Sequence, residues 1–365
     1  MQYQLFLIIP PGLEDLALEE LESKCPVSPV TKVKGGLELI ADMDWIVKAH
    51  CLLKIPTRIL MRIKEFKVRD FPKLHQKFVS LKWNEVLSHP EPHWEISCSK
   101  SRLMHTGRIE ETIQEALKEA LVRQPLSRDW EKKNFPPQTF YVRLVDDNLT
   151  LSLDLTGDPL YKRGYQKIKG EAPLRENFAA AFLLELFKDL KEEVTLVDPM
   201  CGSGTFLTEA LNFHMPGHHR PFAFETAPFF KGKLVRLPLI TNKLPVKDVI
   251  GFDLNEILLK KVKEETGVDL RVQDSVATPI KLESDFVMIC NPPYGERIKI
   301  AGKRGSFLKE AWLKFLKEDK PLRFAWVLPS DMDDLFQAAS GYKLLNKRHL
   351  KNGGLAVTFW VWERL

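Results

Sequence analysis

Cysteine is sparse in this chain of 365 residues. Cys25, Cys51, Cys98, Cys201 and Cys290 form an odd, scattered set without a C-x-x-C pair, which excludes a disulfide framework and gives no zinc-site spacing. Long apolar runs are also missing. The LFLII stretch of Leu5 to Ile9 is far below the ~18 residues needed to cross a bilayer, and it lacks the basic flank and cleavage site of an export signal. There is no internal repeat or low-complexity tract, and no large excess of one charge: 54 Lys and Arg face 49 Asp and Glu, a net +5. With 44% apolar and 28% charged residues, collagen-like, coiled-coil and largely disordered readings drop out. What remains is a soluble, unsecreted protein of a reducing cytoplasm, long enough for two or three domains at roughly 150 residues each.

The charge that is present is unevenly spread. Residues 1 to 53 carry 4 basic and 8 acidic side chains, whereas residues 54 to 82 carry 9 basic and 2 acidic. The first stretch alternates a strand-like YQLFLI run, a Pro11-Gly12 turn, a helix with Leu13, Leu16, Ala17 and Leu21 on one face, a strand near Leu37 to Ile40, and a helix over Trp45 to Leu53. That order predicts a small α+β unit. The basic stretch interleaves Arg58, Arg62, Lys64, Lys67, Arg69, Lys73, Lys77 and Lys82 with Phe66, Phe71, Phe78 and Trp83. The cations suit phosphate contact, while the aromatics have two readings, stacking on unpaired bases or filling a core behind a half-buried strand of Ile59, Met61 and Ile63.

A second α+β unit follows. It has a strand at Trp94 to Ser99, a helix capped at Thr106 or Gly107 with Ile109, Ile113, Ala116, Leu117 and Ala120 inward, and strands at Thr139 to Leu144 and Leu149 to Asp154. The Gly-, Lys- and Arg-bearing stretch after Gly157 reads as a linker. Beyond it, helix and apolar strand alternate: Asn177 to Leu190, Val194 to Val197, Phe206 to Phe213, Val249 to Phe252, Phe286 to Cys290 and Phe324 to Leu328. This rhythm predicts an α/β doubly wound parallel sheet.

Chemistry-bearing residues gather at the ends of those last strands. In VTLVDPMCGSGTF, Asp198 and Pro199 lead into a turn of Cys201, Gly202, Ser203, Gly204 and Thr205 that opens a helix. Backbone N–H groups there can approach a ligand in the crevice where open α/β sheets bind cofactors. The glycine spacing is not the dinucleotide G-x-G-x-x-G, and there is no P-loop lysine for a triphosphate. Asp253 in VIGFDLN can accept both ribose hydroxyls of a nucleoside, and Asp274 in RVQDS can accept an adenine amino group. Asn291-Pro292-Pro293-Tyr294 follows a buried strand. An Asn oxygen and the Pro292 carbonyl present two fixed acceptors to a planar NH2 group, and Tyr294 can stack on its ring. His214, His218 and His219 have a metal-like spacing, but Pro216 and Gly217 break the helix it requires, so no metal site is expected. A nucleophilic Cys201 or Cys290 is not expected either.

In that order, DPMCGSG, FDLN, QDS and NPPYGER resemble S-adenosylmethionine-dependent class I methyltransferases acting on exocyclic amino groups. The match is closer to the bacterial THUMP-domain-containing RNA guanine-N2 methyltransferases. GDPLYKRGYQKIKGEAPLRENFAAAFL, MPGHHRPFAFE and SKSRLMHTGRIE are similar to that family's lead-in, insertion and THUMP core. The resemblance implies an N-terminal ferredoxin-like domain (1–60), a THUMP RNA-binding domain (61–157), a linker (158–172) and a Rossmann-like methyltransferase domain (173–365). It implies S-adenosyl-L-methionine as cofactor, held by Asp198, Pro199, Cys201, Gly202, Gly204, Thr205, Asp253, Asp274 and Asn291. Asn291, Pro292 and Tyr294 would carry catalysis. The expected partner is RNA, first 23S rRNA and second tRNA, for a cytoplasmic monomer with neither membrane nor metal partner. A noncatalytic RNA-binding protein on the same fold is the expectation from another class. The 55 residues between Asp198 and Asp253 exceed the ~20 of dinucleotide folds, and the insertion at Pro216 to Glu225 accounts for the excess by analogy. A second basic excess, 9 basic and 3 acidic residues over 297–323, follows the NPPY motif.

Overall fold

The computed structural model describes residues 1–163, 174–217, 220–230, 232, 243–282, 284–293, 304–336, 340–352 and 354–365. The chain falls into two units. The first is Met1–Ile9, Leu21–Leu160 and Gly217–Leu237; the second is Pro10–Glu20, Tyr161–Pro216 and Pro238–Leu365.

The first unit contains β1 (Tyr3–Ile8), the end of α1 (Glu14–Lys24), β2 (Val30–Val33), β3 (Gly36–Ala41), α2 (Met43–Leu52), β4 (Arg58–Lys67), α3 (Phe71–Val79), β5 (His93–Ser99), α4 (Thr106–Arg123), α5 (Asp129–Lys133), β6 (Thr139–Val145) and β7 (Asn148–Asp154). Its sheet runs β2-β3-β1-β4-β7-β6-β5. β4 joins the strands before residue 60 to those after it, so the two expected α+β halves share one sheet. Alternation does the sorting, with Phe140, Val142 and Leu144 of β6 and Leu149, Leu151 and Leu153 of β7 buried on one face. The helix at 106 begins without the side-chain cap expected from Thr106 or Gly107: its N-cap is His105, which makes no capping hydrogen bond.

The aromatics of the basic stretch divide. Phe78 and Trp83 are fully buried and pack with Trp94 and Phe140, so these two belong to the core and are not stacking platforms. Phe71 is partly exposed, with the Arg108 guanidinium 4.3 Å over its ring. The cations divide too. Arg58 pairs with Asp154, Arg62 with Glu38 (3.1 Å) and Arg69 with Asp147 (2.8 Å), whereas Lys64, Lys67, Lys73 and Lys77 are exposed.

The second unit contains α6 (Glu176–Leu186), β8 (Val194–Asp198), α7 (Thr205–Leu211), β9 (Val246–Asp253), α8 (Glu256–Thr266), β10 (Asp269–Val272), β11 (Phe286–Cys290), α9 (Arg304–Lys314), β12 (Arg323–Pro329), β13 (Tyr342–Asn352) and β14 (Leu355–Arg364). Its sheet runs β10-β9-β8-β11-β12-β14-β13. The strands from β10 to β12 are parallel, as the doubly wound expectation requires, while β14 is antiparallel to β12 and to β13. This terminal hairpin, absent from the sequence reading, brings Trp360 and Trp362 against Phe324 and Trp326 in a buried aromatic cluster. Strand order reverses between β8 and β11, and this switch point opens the crevice in which such sheets take ligands. Residues 10–20 belong to this unit: Arg348 of β13 bonds the Gly12 carbonyl (3.3 Å) and Glu185 of α6 (2.9 Å).

The family-like insertion packs within the first unit. Gly217 N–H donates to the Cys51 carbonyl (2.6 Å) and Phe224 N–H to that of Leu155 (3.0 Å). The rings of Phe222 and Phe224 lie 5.0 and 4.9 Å from the imidazole of His50. Burial pushes His50 down to about 3, with the Ile46 carbonyl at Nδ1 opposing and the Arg220 charge adding to it. Because the folded value lies below the unfolded one of 6.5, the unfolded chain takes up the proton first. This part of the stability is therefore full above pH 6.5 and lost as pH falls. From pH 6.5 to 5 the loss is about 2 kcal/mol. Urea denaturation at pH 7.5 and 5.0 should show wild type losing ~2 kcal/mol more than His50→Gln; an equal loss in both would contradict this account.

Candidate active site

β8 is buried along its length and ends at Asp198, itself only 2% exposed. The chain then turns through the buried Pro199 and Cys201 into α7, which starts at Thr205. Gly202 and Gly204 take φ of +52° and +69°, left-handed values that favour glycine. Three hydrogen bonds fix the turn: Gly204 N–H to the Cys201 carbonyl (2.8 Å), Cys201 N–H to the Phe252 carbonyl (2.8 Å), and Gly202 N–H to Asp253 Oδ2 (2.8 Å). Asp253 Oδ1 meanwhile accepts from Asn255 N–H (2.9 Å), which starts α8. The carboxylate expected at a ribose thus also closes the glycine turn.

The close approach of that turn to β9 depends on Gly251, paired in register with Asp198. A Cβ there would stand 2.6 Å from Leu207 and Leu270 and 2.9 Å from Cys201 Sγ. This residue was missed at the sequence level, although a lone glycine inside the apolar run VIGF signals close packing.

Asp274 follows β10, whose Val272 pairs in register with Asp253. Asp274 is exposed, and its Oδ1 accepts from Val276 N–H (2.9 Å) and Ala277 N–H (3.0 Å). It therefore caps its own turn with one oxygen. β11 pairs with β8 with Met288 opposite Val197, so Asn291 lies two residues beyond the level of Asp198, across the switch point. Asn291 Oδ1 is buried and has no hydrogen-bond partner among the described residues, and the same holds for Ser275 Oγ beside Asp274. Pro292 is buried and has no N–H to occupy that oxygen. Tyr294 lies outside the described residues, as do His218, His219, residues 164–173 of the linker region and residues 297–303 of the second basic stretch.

Burial dominates the electrostatics. It raises Asp198 to about 8, the Met200 N–H (3.2 Å) opposing and the Asp253 charge reinforcing. Burial also raises the thiols of Cys201 and Cys290, with Asp198 and Asp253 adding to both. Thiols held protonated in this way are poor nucleophiles, in line with the reading that neither attacks substrate. Among the described residues, no group of three His, Cys, Asp or Glu side chains is placed to hold a metal, and no helix is long and apolar enough to cross a membrane.

Other features escaped the sequence reading. Leu254, Ile257 and Val272 are 69, 73 and 55% exposed; Leu254 follows Asp253 and Val272 pairs with it in register, so apolar surface suited to the face of a flat ring lies near that carboxylate. Glu209 of α7 is buried and paired with Arg163 (2.8 Å), which ties residues ahead of α6 to the glycine-turn helix. A charge at 209 with apolar neighbours at 207 and 210 was the available signal. Replacing Gly251 by Ala should lower stability by ~1–3 kcal/mol through overpacking, read as a fall in melting temperature; an unchanged melt would show that the turn is not held this tightly.

Residues 163–359 match the family model described as RMKL-like, methyltransferase domain. The ribosomal RNA large subunit methyltransferase K/L of Photobacterium profundum is 30% identical over 308 residues, 79% of this chain and 43% of that relative. The chain therefore spans less than half the length of this relative. A Synechocystis sp. protein named a putative RNA methyltransferase is 29% identical over 325 residues, 84% of this chain and 83% of its own. The crystal structure of SMU.472, solved in complex with SAH, superposes with a TM-score of 0.81 at 25% identity and covers 100% of this chain and 98% of its own. The match over more than half of its length shows that the chain belongs to the RMKL-like methyltransferase family.

Proposed function

We propose that this protein is an S-adenosyl-L-methionine-dependent RNA methyltransferase that modifies the exocyclic N2 amine of a guanosine, in 23S rRNA by preference over tRNA. The observation that carries the reading is Asn291 Oδ1, a buried acceptor without a partner among the described residues at the end of β11. The names of the K/L relatives support an rRNA substrate, and the SAH complex of SMU.472 supports the cofactor. Residues 1–60 and 61–157 are proposed as the ferredoxin-like and THUMP domains that hold the RNA, with 158–172 as linker and 173–365 as the catalytic domain. The exposed lysines Lys64, Lys67, Lys73 and Lys77 would supply phosphate contact there.

The residues present suit the cofactor. The turn at Cys201, Gly202 and Gly204, with Asp198, Pro199 and Thr205 around it, would line the methionine part. Asp253 would take the ribose hydroxyls, Asp274 the adenine amino group, and Leu254, Ile257 and Val272 the face of the base. S-adenosyl-L-methionine supplies an electrophilic methyl group on a sulfonium. A guanine amino group is a poor nucleophile because its lone pair is delocalised into the ring. Asn291 Oδ1 and the Pro292 carbonyl would accept its two hydrogens, favour a pyramidal nitrogen and aim the lone pair, with Tyr294 against the base. Orientation and fixed dipoles then carry the rate, with no side chain required as a strong base. The target nucleotide must be flipped or unpaired to reach the site.

A buried carboxyl at about 8 would lose its proton to solvent when a cationic ligand arrives. S-adenosyl-L-methionine affinity should thus rise with pH between 6 and 8, by at most ~tenfold per unit, and Asp198→Asn should flatten the rise; a pH-independent wild type would contradict this role. Asn291→Ala should abolish RNA methylation while calorimetric affinity for S-adenosylhomocysteine stays within about threefold, since an unfilled acceptor lost from the amine site costs the cofactor little. Normal turnover in that variant would overturn the catalytic assignment. Asp253→Ala removes charge-assisted hydrogen bonds and should weaken S-adenosylhomocysteine by about 10- to 150-fold; unchanged affinity would exclude the ribose role.

A further inference from the structure

Past α9 the helix widens into one π turn, Phe315–Asp319, closed by Lys320 in a left-handed conformation (φ +50°) whose N–H donates to the Phe315 carbonyl (3.0 Å). Single π turns are frequent at functional sites. The turn ends on Asp319, 7% exposed, whose Oδ1 accepts from Ile280 N–H at 2.7 Å across 39 residues of sequence. Its Oδ2 is buried without a partner among the described residues. A buried carboxylate with one oxygen unsatisfied is costly, which core filling alone does not explain.

Ile280 ends the segment that starts at Asp274. That segment is held locally at its start, where Gln273 Nε2 also donates to the Thr278 carbonyl (3.2 Å) and Val276 packs against the core cluster. Asp274 Oδ1 takes Val276 and Ala277 N–H, the Asp274 carbonyl takes Thr278 N–H (2.8 Å), and Ser275 Oγ has no partner among the described residues. Ile280 is 4% exposed and sits in one cluster with Phe315 and Leu316 of the π turn. The Asp319–Ile280 hydrogen bond therefore fastens the far end of the Asp274 turn to the core beneath it.

We propose that Asp319 is a positioning residue for adenine recognition: through Ile280 N–H it fixes the 274–280 segment so that Asp274 meets the adenine amino group. This rests on the assignment of Asp274 to that amino group in the proposed function.

The test compares S-adenosylhomocysteine with S-inosylhomocysteine, which lacks the amino group, by calorimetry on the full chain. Wild type should prefer the adenine compound by at least about tenfold, the worth of a charge-assisted hydrogen bond. Asp319→Asn keeps an acceptor for Ile280 and should keep the preference. Asp319→Ala should bind both compounds within about threefold of each other, and Asp319→Leu, which fills the same volume without an acceptor, should do the same if the Ala variant fails to fold. A merely structural role would weaken both ligands equally and leave the preference intact, and that result in the Ala or Leu variant overturns the inference alone. A wild type that binds neither compound, or binds both equally, overturns the Asp274 assignment and this inference with it.

Discussion

The active-site end of the second unit depends on one hydrogen bond, from Gly202 N–H to the carboxylate of Asp253 at 2.8 Å. It joins the turn after β8 to the end of the neighbouring strand β9, beside the backbone bond from Cys201 to Phe252. Two left-handed glycines bend the turn toward β9, and the missing side chain at Gly251 lets it close. The same carboxylate starts α8 through Asn255. One acidic group thereby fixes the geometry of two loops at the switch point of the sheet, and a nucleoside placed there would meet a surface that is already organised.

Around this anchor the groups differ in how they are satisfied. Asp198, Cys201 and Cys290 are buried, and burial holds all three toward their neutral forms. The thiols are thereby quiet, while the carboxyl is poised to respond to a cation. Asn291 contributes an acceptor oxygen that nothing in the described structure fills. Acceptors positioned in a dry crevice stabilise a developing charge or aim a lone pair more strongly than the same groups in water. Under the proposed function, thiols held neutral and an unfilled amide acceptor would suit transfer to nitrogen rather than chemistry through a covalent cysteine adduct.

Much of this was legible in the sequence, because strand-end chemistry and apolar periodicity are local signals. The strand at Phe286–Cys290, the glycine turn and the acidic residues of β8 and β9 fall where the pattern places them. What was not legible depends on contacts distant in sequence. Gly251 matters only because Cys201 and Leu270 converge on it, and Asp319 because Ile280 lies under it. Phe78 and Trp83 had two readings until their burial was known. The β13–β14 hairpin was passed over because polar residues interrupt its first strand, and the shift between Leu344 and Asn346 breaks the alternation. The basic excess of residues 54–82 overstated the free charge, since Arg58, Arg62 and Arg69 are already paired.

The proposal at stake is chemical, that the acceptor at the end of β11 would select an exocyclic amine of guanosine. It is tested most directly by incubating the purified protein with isotopically methyl-labelled S-adenosyl-L-methionine and unmodified 23S rRNA or tRNA, then digesting the RNA and identifying the labelled nucleoside by mass spectrometry. The account predicts N2-methylguanosine, with rRNA the better substrate. Label in N6-methyladenosine or in a carbon-methylated pyrimidine, or no label in any RNA, would contradict it.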